Sequence, residues 1–463
     1  MHIKLISVNL ALRDNSAGIK NMCKQYKIIV QTLEDNKVTK ESTVMQNDIL
    51  APESCIDFSL GLDQHMKLIH GVQDHVLNEK LICLSENQRN CPKCPGHLVK
   101  RGKQSSMFHD VFSDHRVAFM RMKCSDCGYE APCTTRSQFG CIQSGDLQKI
   151  QSELGSKHSF REAQDILSIF SGNSRSINNH DRIKQVTEKM GDALFYLNAQ
   201  EQEMAAIKQA PELILNVDGG HVKTTKNQRS IEAIAAVVYR PDSLVSNEKG
   251  TRNHLTSKHC AASVKDDQQQ EIVAATTIAA IKEGLGPKTH ITALCDGARN
   301  CWNVAEALEP HCHSITYILD WFHIAMKMEN ISLPAALKSK FMRVKWHLWR
   351  GRVDSALVRV EQLMELGISR KAKEKLKSFH TYVVNNGNKI IDYRSRKNAG
   401  LVFTSNLAEC TVESLINQRC KGKQHMRWTR SGLNPVLQLR AAIHSFGEWN
   451  NKWKSALLNT LAA

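Results

Sequence analysis

Three features of this sequence predict a multidomain α/β protein. Residues 211–323 alternate apolar runs with helical stretches, two CxxC pairs precede them, and a strongly basic helical stretch follows. With 463 residues the chain has room for two to four domains. The formal charge is +16, which favours an acidic partner, and nucleic acid is the commonest one. The competing reading is a basic ribosome-associated or membrane-surface protein. The excess is uneven: residues 324–400 hold 17 Lys and Arg against 6 Asp and Glu, as a face that tracks DNA phosphates would. There is no run of 18 apolar residues and no signal-peptide core at the N-terminus, so no membrane span or secretion is expected.

Residues 1–87 show no clear period and receive no role; 36–54 reads as a mostly polar loop. Residues 88–140 carry CPKC at Cys91 and Cys94, then CSDC at Cys124 and Cys127. A pair at this spacing grips one side of a tetrahedral zinc from a tight turn, and two pairs complete the site. The 29 residues between the pairs fit a small hairpin, with VAFMRMKC as a strand. Fifteen cysteines without a secretion signal point to metal binding before disulfides. One structural Zn2+ in a zinc ribbon is the expectation, because four protein ligands leave no open position. A redox role would need just one pair.

Residues 141–208 read as helical. In SFREAQDILSIF, Ser159 is an N-cap type, and Phe160, Ala163, Leu167 and Phe170 mark one apolar face. A second helix is expected from Arg175 to about Met190. This pair suits a helix-turn-helix that reads DNA, and equally an ordinary helical hairpin.

Residues 209–323 change character. PELILNVDGG reads as a buried strand ending at Asp218, IEAIAAVVYR as a second strand, and the stretch near 254–264 as a third. A helix over about 268–283 follows, then a strand ending at Asp296, a helix over 298–308, and a strand ending at Asp320. This is the order of an RNase H-like domain, an antiparallel meander continued by parallel strands joined through helices. Residues 324–403 form a basic helical stretch, and residues 404–463 open with a helix in which Thr404, Ser405 and Asn406 are N-cap types.

Carboxylates at neighbouring strand ends and on a late helix can hold two Mg2+ or Mn2+ ions for in-line phosphoryl displacement. Asp218 and Asp296 each close an apolar strand and each precede a glycine. The bland reading of either is a turn Asp, since Asp-Gly is a common turn pair. Glu409 and Glu413 are four apart and share a helix face, and local physics does not choose between them. Asp320 and His323 form an accessory pair or simply pack at a strand-to-helix turn. Residues 419–440 hold six Lys or Arg and no acid, which makes Arg419, Lys423, Arg427, Trp428 and Arg430 DNA-binding candidates. For Trp428, Trp346 and Trp349 a core role is the stronger reading.

The stretches DGGHVK, CDGARNCW, LDWFHIAMKM, KWHLWRGRVDSAL and SNLAECTVESLINQRCKGKQHMRWTRSGL resemble bacterial insertion-sequence transposases of the ISKra type. These belong to the DDE group, which includes the similar Mutator-type transposases. The resemblance spans roughly residues 155–445. It implies an RNase H-like core interrupted by a helical insertion, here residues 324–403. It selects Glu409 as the third acid beside Asp218 and Asp296, because that Glu precedes the Arg that opens RCKGKQHMRW by about three helical turns. It places an Asp-x-x-His pair on Asp320 and His323, and Glu413 departs from its pattern. The function implied is binding of the element's terminal inverted repeats, then two-metal cleavage and strand transfer, by a homo-oligomer on double-stranded DNA at the bacterial nucleoid in the cytoplasm. The alternatives are a DNA-binding derivative that no longer cuts, or a structure-selective nuclease of the same fold.

Overall fold

The structure is a computed structural model, which describes residues 8–12, 22–171, 175–200, 208–225, 230–246, 253–405, 413–421 and 426–462. The chain divides into two units, one of Met1–Leu154, Phe160–Val186 and Leu458–Ala463, the other of Gly155–Ser159 and Thr187–Leu457.

In the first unit, β1 (Val8–Leu12), β2 (Met22–Glu34) and β3 (Lys37–Ile49) form an antiparallel sheet in that order. The polar loop expected over 36–54 is therefore mostly strand. Asp35 and Asn36 both adopt positive φ, 49° and 62°, the signature of a two-residue hairpin turn. The side chains of β3 are mainly exposed, so the strand lacks the alternation that makes a half-buried strand legible. Helix α1 (Leu62–Asn87) follows and packs on β5. Strands β4 (Leu98–His109) and β5 (Asp114–Cys124) pair as the expected hairpin, and β5 buries alternate residues His115, Val117 and Phe119. Short α2 (Thr135–Phe139) is capped by the Thr134 hydroxyl.

Helices α3 (Gly145–Lys157), α4 (Phe160–Ser171) and α5 (His180–Gln200) come next. Ala163 and Leu167 of α4 pack on Ile183, with Phe160 partly buried beside them, whereas Phe170 is 54% exposed and lies off the buried face. The second helix begins at His180, not Arg175, because a 3-10 turn over Ser176–Asn178 intervenes, and it runs ten residues beyond Met190.

The second unit holds β6 (Glu212–Lys223), β7 (Ser230–Tyr239), β8 (Leu244–Ser246), β9 (Asn253–Leu255) and β10 (His259–Ser263). Helix α6 (Gln270–Lys282), β11 (His290–Cys295), α7 (Arg299–Glu306), β12 (Ser314–Leu319) and α8 (Trp321–Glu329) follow. Five strands make one mixed sheet in the order β10-β7-β6-β11-β12, while β8 and β9 form a separate small ladder. The β10-β7-β6 part is antiparallel, and β11 and β12 add in parallel. β7 is an almost unbroken buried run, as a central strand covered on both faces requires. Strand β6 does not end at Asp218; it continues to Lys223 on its β7 partner, and what ends near Asp218 is the parallel pairing with β11.

Four helices fill the basic stretch: α9 (Ala335–Trp349), α10 (Val353–Met364), α11 (Arg370–Asn385) and α12 (Tyr393–Asn398). After a helical turn over 413–421, the chain closes with α13 (Arg430–His444) and α14 (Glu448–Ala462). Helix α13 seals the edge of the sheet. Ser445 accepts from the Cys260 N–H, Asn434 from the Val264 N–H, and Gln438 donates to the Ala262 carbonyl, so the outward backbone groups along β10 are taken. No helix among the described residues is long and apolar enough to cross a membrane.

At Gly191 in α5 a Cβ would overlap the Pro435 backbone of α13, so these two helices touch backbone to backbone. Gly191→Ala is expected to lower stability by about 1–3 kcal/mol through overpacking, read as a lower urea midpoint with unchanged slope.

Candidate functional site

The register of the sheet assembles the site. Cys295 of β11 pairs with Val217 of β6 on one side and Leu319 of β12 on the other. The residues that follow are Asp218, Asp296 and Asp320, so three acids stand abreast where three neighbouring parallel strands stop pairing. This is the edge at which parallel sheets expose ligand-binding groups.

Their surroundings differ. Burial pushes the Asp218 carboxyl above its ordinary pKa, and the Asp296 and Asp320 charges push it further, against His323 and the Gly219 N–H. Crowded carboxylates with too little compensation have the character of a cation site. Asp296 accepts the Ala298 N–H (2.8 Å) and is followed by Gly297 at φ 96°. It is thus a turn residue and a site residue at once. A Cβ at Gly297 would crowd Tyr382 and Leu319, so the tight turn needs glycine.

Asp320 is buried, and both its oxygens are engaged. It accepts the Phe322 N–H as the cap of α8 (3.2 Å), the Ser405 N–H (3.0 Å) and the Ser405 hydroxyl (2.5 Å). Its hydrogen bonds therefore fasten residue 405 to the end of β12. His323 Nε2 lies 3.7 Å from Asp320 Oδ2.

Helices of the basic stretch buttress this edge. Tyr382 of α11 donates its hydroxyl to the Asp296 carbonyl (2.8 Å), and Tyr393 of α12 donates to the Leu319 carbonyl (2.6 Å). Asn386 accepts from the Trp302 indole N–H (3.0 Å). Sequence reasoning assigned these residues nothing, since a hydroxyl that meets a distant carbonyl leaves no local pattern.

Glu409, Asn406 and Lys423 lie outside the described residues. Thr404 and Ser405 are not helical; Glu413–Asn417 form a π-helical turn that runs into Gln418–Cys420. Glu413 is exposed, and Asn417 donates its side-chain amide to it. Asp218 and Gly220 share one face of β6, and a Cβ at Gly220 would meet Lys421 and Ile416. The turn over 413–421 thus packs on the Asp218 side of the sheet.

The basic candidates separate. Arg419 is buried, donates to the Gly155 carbonyl (3.0 Å), and stacks its guanidinium over Trp428 at 4.8 Å. Trp428 is buried too, and its backbone pairs with the Lys223 carbonyl at the tail of β6 (2.9 Å). Arg430 is half-buried and donates to the Val264 carbonyl, whereas Arg427 is exposed. Trp349 packs among Trp321, Tyr393 and Phe403, while Trp346 is 57% exposed and does not join that core.

In the first unit Cys91, Cys94, Cys124 and Cys127 converge, with Sγ–Sγ distances of 3.5 Å for Cys91–Cys127 and for Cys94–Cys124. That is far too long for a disulfide. It fits a tetrahedral zinc, whose 2.3 Å bonds put sulfurs about 3.8 Å apart. The Lys93 and Gly96 N–H groups point at the sulfurs of Cys91 and Cys94, the geometry of two metal-gripping turns. His97 turns instead to Asn90.

The family model of an uncharacterised protein family, UPF0236, matches residues 148–455. The chain belongs to that family. The matched part carries the three aligned acids and the helices that buttress them, and the cysteine cluster lies ahead of it. No curated protein matches the chain.

Cys124→Ser is expected to lose the zinc held by the four cysteines and to loosen the hairpin of β4 and β5. Metal analysis of the purified protein checks this, and an unchanged zinc content would remove the assignment.

Proposed function

We propose that this chain is a DNA transposase of the DDE group with an RNase H-like core, as its resemblance to ISKra-type transposases implies. The observation that carries this reading is the alignment of Asp218 and Asp296 on adjacent parallel strands of a mixed sheet whose first three strands are an antiparallel meander. Asp218, Asp296 and Glu409 would hold the metal ions. When bound, two Mg2+ or Mn2+ ions would activate the attacking water or 3′-hydroxyl and neutralise the leaving oxygen.

The chain's own residues do the positioning. The raised pKa of Asp218 reflects burial and like charge, strain that a bound cation would relieve. Asp320 anchors Ser405 beside the end of β12, four residues before Glu409 in the sequence. Tyr382 and Tyr393 brace the strand ends on which Asp296 and Asp320 sit. DNA contact is assigned to exposed basic residues, among them Arg427 and those of α9 to α12, rather than to Arg419, whose guanidinium is spent inside the protein. The cysteine zinc site and the α4–α5 segment would bind the terminal repeats.

The test is a cleavage and strand-transfer assay on DNA that carries the element's ends, with magnesium or manganese. Asp218→Ala, Asp296→Ala and Glu409→Ala are each expected to bind the ends and to lose activity by roughly 10²- to 10³-fold or more, the scale of a lost preorganised charged group. Activity that survives in Glu409→Ala and dies in Glu413→Ala would move the third acid by one turn. A wild type that binds ends and never cuts would favour a DNA-binding derivative, and hydrolysis without joining would favour a nuclease. End binding is expected to weaken by roughly 10³-fold between 50 and 200 mM salt, since phosphate contacts release counterions. A flat salt dependence, read by gel shift, would overturn the basic helical stretch as a DNA face.

A further inference from the structure

A second group of metal-ligand side chains lies in the first unit, apart from the cysteines. His70 and Asp74 are four residues apart on α1, so they share one face of the helix. His115, fully buried on β5, meets them: its Nδ1 is 2.5 Å from Asp74 Oδ1, and His70 Nε2 is 3.1 Å from Asp74 Oδ2. The two imidazole rings stack 4.7 Å apart at an interplanar angle of 11°, and each presents a nitrogen to one oxygen of the Asp74 carboxylate. The ligand atoms of all three residues lie within 4.8 Å of one another.

The other nitrogen of His115 is just as specifically held. Its Nε2 lies 3.2 Å from Asp110 Oδ2 and 2.9 Å from the Ser113 hydroxyl. Asp110 is itself fixed by the Phe112 and Ser113 N–H groups (2.9 and 2.6 Å). A carboxylate behind the far nitrogen is what orients a metal-ligating histidine and raises its basicity. An accidental surface cluster does not require it.

The helix also needs a fastener. The buried residues of α1 are His75 and Ser85, both polar, although the helix runs from Leu62 to Asn87. His75 is spent on hydrogen bonds to Thr32 (2.8 Å) and Ser42 (2.9 Å) of the first sheet. The apolar residues of α1, such as Ile69, Val72 and Leu84, are only half-buried, so a cross-link between α1 and β5 would add to their packing as metals and disulfides do in small units.

We propose that His70, Asp74 and His115 form a second divalent metal site, of two imidazoles and one carboxylate, that staples α1 to the β4–β5 hairpin. The nitrogen and oxygen donors suit a first-row transition ion such as zinc, with a water to complete the tetrahedron. Burial works to depress His115, yet the hydrogen bonds to Asp110 and Asp74 outweigh it and hold the imidazole above its ordinary pKa. With a metal on Nδ1, the remaining ring proton would sit on Nε2, toward Asp110.

The full-length protein, loaded with zinc(II) or cobalt(II) and stripped of loose metal, tests this. Wild type is expected to retain about two ions per chain. His70→Ala, which changes a half-exposed side chain, should retain about one and keep the thiolate-to-cobalt charge-transfer band of the cysteine site. Cys124→Ser should lose that band and keep the weaker visible bands of cobalt bound by nitrogen and oxygen. About one ion in wild type, or an unchanged ion count in His70→Ala, would overturn the site and leave His115 as a buried imidazole hydrogen-bonded to Asp74 and Asp110. Asp74→Asn repeats the measurement through a second ligand, so a folding defect in one variant does not decide the outcome.

Discussion

The parallel register of β6, β11 and β12 is the constraint on which the candidate active site depends. The ladder sets Val217, Cys295 and Leu319 side by side, and so the next residue of each strand is an acid beside another acid. A shift of one residue in either pairing would turn one carboxylate to the opposite face. The buried runs of β6, β7 and β11 are covered on both faces of the sheet, as the middle strands of a layered α/β unit require. The cost of the arrangement falls on Asp218, where burial, with the Asp296 and Asp320 charges beside it, disfavours the charged carboxylate. Asp320 is engaged by three hydrogen-bond donors.

That division of labour bears on the proposed mechanism. Asp218 and Asp296 each accept a backbone N–H on one oxygen, and under the proposed mechanism the other would take a cation, whereas both oxygens of Asp320 are engaged by protein groups. The basic helical stretch acts in two ways. Its exposed Lys and Arg give the chain much of its positive charge, and its buried face delivers Tyr382, Asn386 and Tyr393 to the strand ends. Two buried arginines do comparable work near the C-terminal end: Arg419 donates to Gly155, and Arg440 donates to the Leu415 and Ser156 carbonyls. A buried guanidinium is costly unless most of its donors are met; three backbone carbonyls receive Arg440, while Arg419 has the Gly155 carbonyl, the Met426 sulfur and the face of Trp428. Both residues are thereby committed to the fold.

The first unit follows a different logic. Its β-structure is largely exposed, and much of what α1 buries is polar. Ligand clusters stand beside its apolar contacts: the cysteines bring the segment before β4 to the end of β5, and the proposed histidine site would join α1 to β5. A unit built this way would depend on metal for its order, and the proposed recognition of DNA ends would inherit that dependence.

Much of the second unit was legible in the sequence. Apolar runs bounded by charge and glycine mark the strands of the five-stranded sheet, whose order follows directly because periodicity is a local property, whereas the short β8–β9 ladder carries no such mark. The CxxC spacing is local too, and the four sulfurs converge as it implies. Residues 35–36 show the limit of such reading: the Asp-Asn turn and the exposed strand after it carry no hydrophobic signature, and the ladder with β2 decides them. The continuation of β6 past Asp218, the burial of Arg419 and the exposure of Phe170 and Trp346 depend on partners far away in sequence. So do the engagement of Asp320 by Ser405, 85 residues later, and the meeting of His115 with Asp74, 41 residues earlier. The sequence by itself determined which side chains could bind metal and which stretches could bury their faces. Only the tertiary structure decided which of those side chains face one another, because long-range packing and strand register set those distances.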